Sequence, residues 1–151
     1  MKIHDPSQVA SDLQIVTQRV VPYPAARIFE AFRDPTQLAR WWGPSGFTNT
    51  FYEFDFREGG MWRFTMHSPD GTDYANECRF LRIVSPNQVV LDHTCAPYFQ
   101  AHLSFEDTEN GCLIDWHMIF NDAQTCAAVA KIAGKANEQN LDRLLAVIQQ
   151  S

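Results

Sequence analysis

The sequence predicts an α+β domain, a curved antiparallel sheet of about seven strands wrapped on one long C-terminal helix, with two short helices between the first and second strands. Three observations carry that prediction. Apolar and polar residues alternate with period two from Phe47 to Phe120, and turn-forming residues break the alternation at regular intervals. A stretch from Asp122 to Gln150 contains no Pro and no strand-like run. Two short segments of helical spacing stand between the first strand and the rest.

The first strand is IVTQRVV (15–21), rich in β-branched residues and closed by Pro22. Pro24 then occupies the first turn of a helix whose Ile28, Phe29 and Phe32 recur at helical spacing until Asp34-Pro35 interrupts it. Pro35 opens the second helix, which runs through Leu38 to Trp41 and ends at Gly43-Pro44. Turn signals follow at Gly59-Gly60, Pro69-Asp70-Gly71, Pro86-Asn87, Pro97 and Glu109-Asn110-Gly111. Between them six further strands are expected at about 48–56, 61–67, 74–84, 88–94, 100–107 and 112–120.

Asp122 caps the last element, a helix of about 28 residues that spans roughly 40 Å and so crosses the whole sheet. Its expected apolar stripe is Val129, Ile132, Ala133, Leu141, Leu144, Leu145 and Ile148. The stripe is dense near the C-terminus. The first half carries Ala127, Ala128, Ala130, Ala133, Gly134 and Ala136, whose small side chains leave space beneath a curved sheet. A cavity is expected there.

The totals fit this design. A chain of 151 residues is one domain's worth, and 45% apolar residues with eleven Phe and four Trp require a substantial core. Residues 1–13 are a short, loosely held N-terminal extension, and 14–151 form the domain. Eighteen acidic against twelve basic residues give a formal charge of −6, which argues against nucleic acid as a partner. No run approaches the roughly 18 apolar residues of a membrane span, so membrane insertion is not expected. Cys78, Cys95, Cys112 and Cys126 contain no CxxC pair and no cluster of zinc-ligand spacing. They read as reduced and mostly structural, and residues 1–13 are mixed polar with no apolar h-region, so a cytoplasmic location is expected. No metal or cofactor is expected, and the oligomeric state is monomer or homodimer.

The segment 15–44, ending in Trp41-Trp42-Gly43-Pro44, resembles the opening of the family named for the activator of heat-shock protein 90 ATPase, within the START-like or SRPBCC superfamily. FDFREGGMWRFTMHSPDG (54–71) is similar to that family's D-x-R-x-G-G hairpin, and NGCLIDWHMIF (110–120) to its penultimate hairpin. The likeness extends over about residues 14–149. Two positions depart from it: Gly134-Lys135 stands where the family commonly has Gly-Trp, and Cys78 where it has Gly. The resemblance implies a helix-grip fold, often with an apolar ligand pocket, in members that include binding proteins, polyketide cyclases and co-chaperone domains. Fold alone does not choose among them.

Alternation assigns the candidate site. Trp62, Phe64 and Met66 share the face of their strand that turns toward the helix. Tyr52, Phe54 and Phe56 point inward on the strand before, while Asp55 and Arg57 point out and pin the Gly59-Gly60 turn. Leu91 and His93 share a face, as do Ile114, Trp116 and Met118 on the last strand. The expected lining is therefore Phe54, Trp62, Phe64, Met66, Leu91, His93, Trp116 and Met118, with Asn137 as the helix's polar contact; the other reading of Asn137 and Asn140 is that they edge the helix toward solvent.

His93 is the one expected imidazole in the wall, and a hydrogen-bonded core histidine is the more economical reading of it than an acid or base. His67, His102 and His117, with Asp92 and Asp115, are expected on a solvated sheet face. Of Trp41 and Trp42, one is expected to close the core at the open end of the sheet, the other reading being a lid over the pocket. No nucleophile elbow, Cys/His signature or phosphate loop is present. The leading function is an apolar or aromatic small-molecule binding domain. The alternatives are a cyclase or dehydratase using His93, and a protein-binding domain acting on heat-shock protein 90.

Overall fold

The structure, a computed structural model of the chain, describes residues 2–150. Seven strands form one antiparallel sheet in the order β1-β7-β6-β5-β4-β3-β2. They are β1 Gln14–Val21, β2 Thr48–Phe54, β3 Met61–His67, β4 Asp73–Val84, β5 Gln88–His93, β6 Phe99–Thr108 and β7 Gly111–Ile119. The first two strands in sequence thus lie on opposite edges of the sheet. Helices α1 (Ala25–Arg33) and α2 (Pro35–Trp41) bridge them, and α3 (Ala123–Gln150) crosses the inner face. These elements match the expected order, with boundaries moved by one or two residues.

Asp34 both ends α1 and starts α2. Its backbone N–H donates to the Glu30 carbonyl at 3.0 Å, while its Oδ1 accepts the Thr36 N–H at 2.9 Å. Asp122 begins α3 in the same manner, accepting the Thr125 N–H at 2.7 Å. The buried stripe of α3 is Cys126, Ala133, Asn137, Asn140, Leu141, Leu144, Val147 and Ile148. Ile132 departs from expectation and is 72% exposed. It precedes Ala133 and stands about 100° from it around the helix, which carries it off the inner face.

The alternation expected for β2 also fails at one point. Tyr52 is 60% exposed, and the pairing of β2 with β3 slips between Phe51 and Glu53. The β-bulge at Tyr52 turns its side chain outward and lets Phe51 and Phe54 both face the core. Phe51, Phe54, Phe56, Trp62 and Phe80 then form a continuous aromatic cluster, with Phe56 and Phe80 centroids 5.1 Å apart at 76°. Trp41 closes this core. It is 2% exposed, and its indole N–H donates to the Ala31 carbonyl at 2.9 Å.

Past the bulge, Arg57 Nε donates to Asp55 Oδ2 at 2.8 Å, and the Gly60 N–H donates to the Arg57 carbonyl at 2.8 Å. A Cβ at Gly60 would lie 2.0 Å from the Asp55 carbonyl oxygen, so the turn admits only glycine there.

The N-terminal segment lies on the outer face of the sheet. The His4 N–H donates to Gln100 Oε1 at 2.8 Å, Gln100 Nε2 donates to the Lys2 carbonyl at 2.9 Å, and Gln14 Nε2 donates to the carbonyls of Pro6 and Val9. His102, expected on a solvated face, is 2% exposed beneath this segment. Its Nε2 donates to Gln100 Oε1 at 2.7 Å. Burial pushes its pKa down to about 4, helped by the neighbouring His117, Arg82 and His4.

Candidate ligand-binding site

Between the middle of α3 and the inner face of β3 to β7 lies a cavity of about 230 Å³ with a predominantly apolar lining. Strand alternation supplies its floor. Phe64 and Met66 come from β3, Cys78 from β4, Leu91 and His93 from β5, Ala101 from β6, and Trp116 and Met118 from β7. Helix α3 supplies the roof with Ala136, Asn137 and Asn140, and the α2–β2 loop supplies one end with Trp42, Gly43 and Pro44.

Seven of the nine residues expected at the site therefore meet around one space: Phe64, Met66, Leu91, His93, Trp116, Met118 and Asn137. Phe54 and Trp62 do not. They belong to the adjoining aromatic core, where Trp62 is fully buried and stacks on Phe64 at 4.2 Å. The partition between core and cavity is Trp42, whose ring lies 5.2 Å from that of Trp62 and 5.8 Å from that of Trp116.

The sequence reading missed Asn76, Cys78, Pro97, Phe99 and Ala101 as lining residues, while Ala136 belongs to the small-residue half of α3 under which the cavity was expected. The signal for four of them was present. Asn76 and Cys78 alternate in register with Phe80 on β4, and Phe99 and Ala101 with Leu103 and Phe105 on β6. Starting β6 at residue 100 left Phe99 out.

The polar groups of the cavity fall into two classes. Asn140 is occupied by the backbone: its Oδ1 accepts the Gly43 N–H at 3.2 Å and its Nδ2 donates to the Trp41 carbonyl at 2.8 Å. It anchors the loop. His93 is likewise occupied, with Nδ1 donating to the Pro97 carbonyl at 2.7 Å and Nε2 lying 2.7 Å from Asn76 Oδ1. Its ring stacks on Phe99 at 4.6 Å and 10°, and burial holds its pKa below the ordinary histidine value.

Asn137 and Trp116 are less committed. Asn137 is 7% exposed, and its Nδ2 makes contacts of 3.3 Å to Thr17 Oγ1 and 3.5 Å to Met118 Sδ. The buried indole N–H of Trp116 has no acceptor among the described residues. Burial pushes the Cys78 thiol strongly upward, so it sits in the wall as a neutral small apolar group.

The loop that closes the cavity is held from α3 by Arg143. Its guanidinium donates to the carbonyls of Arg40, Trp42, Gly43, Pro44 and Phe47 at 2.8–3.1 Å. Gly43 has φ of +101°, and a Cβ there would lie 2.7 Å from the Met66 Cε. The loop conformation and the cavity end are therefore set by the same residue.

On the outer sheet face His102 and His117 stand opposite each other in the register, and His117 Nε2 lies 3.0 Å from Asp115 Oδ1. Each imidazole is used to hold the N-terminal segment through Gln100 or Gln14, the latter accepting from His117 Nδ1 at 2.8 Å. Among the described residues, no helix is long and apolar enough to cross a membrane.

A profile of the family described as Activator of Hsp90 ATPase homolog 1-like protein matches residues 22–149. No curated protein matches the sequence. Among solved structures, the chain superposes on a protein from Nitrosomonas europaea with a TM-score of 0.85 at 15% identity, over 94% of this chain and 97% of that one. A protein from Arthrobacter aurescens gives 0.84 at 22% identity, covering 93% and 88% respectively. An AHSA1-like protein from Aeromonas hydrophila gives 0.75 at 18% identity, covering 91% and 93%. These similarities concern the fold.

Proposed function

Because this chain belongs to the Activator of Hsp90 ATPase homolog 1-like family, we propose that it is a binding module that holds a small, mainly apolar or aromatic molecule between α3 and the sheet. The observation that carries this reading is the apolar cavity of about 230 Å³ under Ala136 and Asn137. A helix of larger side chains would have filled it. At roughly 30 Å³ per water-sized group, the space suits a body of about eight non-hydrogen atoms. Trp116 N–H and Asn137 offer such a molecule one or two polar contacts, as expected of a specific apolar site.

Two other readings have less support. A cyclase or dehydratase would need His93 as acid or base, and both ring nitrogens already face oxygen atoms of Pro97 and Asn76. Action on heat-shock protein 90 rests on the family's descriptive name alone. Four unpaired thiols suit a reducing compartment such as the cytoplasm. The chain acts as a monomer or homodimer in this reading.

The test is a titration with indole followed by amide NMR. Saturable shifts centred on Leu91, Ala101 and Ala136 are expected. Absence of shifts there up to the solubility limit of indole would overturn the reading.

A further inference from the structure

The two edges of the sheet are built differently. β2 carries the bulge at Tyr52, a device that interrupts the pairing groups of an exposed edge. β1 pairs with β7 without a break from Gln14 to Val21 and contains no Pro. Its one charged side chain, Arg19, is drawn to Glu138 and Asp142 of α3 at 2.7 and 2.8 Å, away from the outer face. On that outer face stand Val16, Gln18 and Val20, and the two valines are 49% and 68% exposed.

The register of β1 against β7 fixes which backbone groups lack a partner. The Phe120 N–H donates to the Leu13 carbonyl at 2.8 Å, one step beyond the Gln14–Ile119 pair. In an antiparallel ladder, hydrogen-bonded pairs alternate with pairs whose N–H and C=O point away from the neighbour. Counting in twos from Leu13, the residues Ile15, Thr17, Arg19 and Val21 bond to β7. Val16, Gln18 and Val20 therefore aim their N–H and C=O groups off the sheet. Among the described residues, nothing else hydrogen-bonds to the backbone of those three.

We infer that this edge pairs antiparallel with the same edge of a second copy of the chain, joining the two sheets into one about a two-fold axis. The edge is complementary to itself. An axis through Gln18 sets that residue against its own copy and sets Val16 and Val20 of one chain against Val20 and Val16 of the other. Each of these three pairs exchanges two N–H···O bonds, and the valine pairs add apolar contact on the outer face beside Leu113, the β7 neighbour of Val20.

Other registers are poorer. A slip of two residues one way sets both valines against glutamines, Val16 against Gln18 and Val20 against Gln14. The opposite slip sets Val16 against Pro22, which has no N–H to give. Because one patch meets its own copy, association closes at two chains and does not propagate into a filament.

The test is sedimentation velocity of the full chain from about 10 μM to about 1 mM, a range suited to a small, strand-paired interface. A reversible monomer–dimer equilibrium is expected. The double variant Val16→Lys, Val20→Lys puts charge on the edge and should weaken association at least about tenfold, with an unchanged circular dichroism spectrum. The register is read separately by crosslinking in a Cys95→Ser background with oxidised glutathione. Directly opposed Cα atoms of a hydrogen-bonded pair lie about 5.5 Å apart, within disulfide reach. Gln18→Cys should therefore give a covalent dimer, Val16→Cys alone should not, and a mixture of Val16→Cys with Val20→Cys should give the mixed dimer. A chain that stays monomeric over the whole range, a dimer that persists undiminished in the lysine variant, or a Gln18→Cys protein that crosslinks no faster than Val16→Cys overturns the inference.

Discussion

His93 Nε2 lies 2.7 Å from Asn76 Oδ1, and that amide is fixed in orientation because its Nδ2 donates to the Tyr74 carbonyl at 2.9 Å. The other ring nitrogen meets the Pro97 carbonyl. A neutral imidazole has one N–H and can satisfy only one of these two oxygens, whereas the charged form satisfies both but is disfavoured by burial. Burial wins, and the pKa lies below the ordinary value.

Replacing Asn76 by Asp should reverse that balance. A carboxylate in place of the amide oxygen favours the imidazolium, so the His93 pKa should move from below about 6.5 to above it. Titration of the His93 ring carbon and proton resonances by NMR reads this directly. The sign of the stability effect changes with it. In the natural sequence His93 contributes stability above about 6.5 that is lost as pH falls through its depressed folded value. In Asn76→Asp the contribution is present at low pH and lost as pH rises through the elevated one. A pKa that stays depressed in the variant would refute the contact's role.

His102 should make the protein acid-labile in a defined window. Its folded pKa of about 4 lies below the unfolded value near 6.5, so the unfolded chain binds the proton first. Stability should therefore begin to fall below about pH 6.5 and level off only below about pH 4, with a loss on the order of 3 kcal/mol. His102→Gln removes the titrating group, and urea unfolding between pH 4 and 7 should show a shallower dependence. Because His102 bears on Gln100, which binds Lys2 and His4, backbone amides of the N-terminal segment should lose exchange protection in the same pH range.

The cavity can be filled from the helix side. Ala136→Phe places a ring into a space of about 230 Å³ bounded by apolar groups, without disturbing a hydrogen bond. The variant should retain its helical and sheet content by circular dichroism and bind indole at least about tenfold more weakly, a change of roughly 1.4 kcal/mol. Undiminished indole binding would place that ligand elsewhere.

The strands and the long helix were legible because their periods differ and their boundaries carry Gly, Pro and Asp. His93, Leu91, Trp116 and Met118 could be put on the inner face by counting in twos. Counting failed at Tyr52, where a bulge adds one residue to β2 and nothing in the local composition announces it. It also misjudged His102. A polar residue on an outward face reads as solvated until the N-terminal segment is seen to cover it, and that contact joins residues 98 positions apart in the Gln100–Lys2 bond. Phe54 and Trp62 were correctly placed inward, but alternation gives only the face and not the position along it. The Trp42 ring, standing between Trp62 and Trp116, decides which inward residues meet the cavity.

Arg143 gives the last prediction, because it ties the cavity's closing loop to α3 without any carboxylate partner in its hydrogen bonds. Five carbonyl oxygens from Arg40 to Phe47 accept from its two terminal nitrogens. Burial lowers its pKa but leaves a guanidinium charged at any ordinary pH, so the carbonyl dipoles are what compensates the charge. Arg143→Met preserves most of the stem's packing and removes the donors, leaving the partly buried carbonyls unsatisfied. It should destabilise the fold by about 2–4 kcal/mol in urea unfolding. Arg143→Lys should recover less than half of this, since one ammonium has three donors on a single atom and cannot span the loop. Both variants should also raise the exchange rates of the Trp42 and Gly43 amides, and they should weaken indole binding through the loosened end of the cavity. A lysine variant as stable as the natural protein would mean that charge alone, and not the spread of the guanidinium, holds the loop.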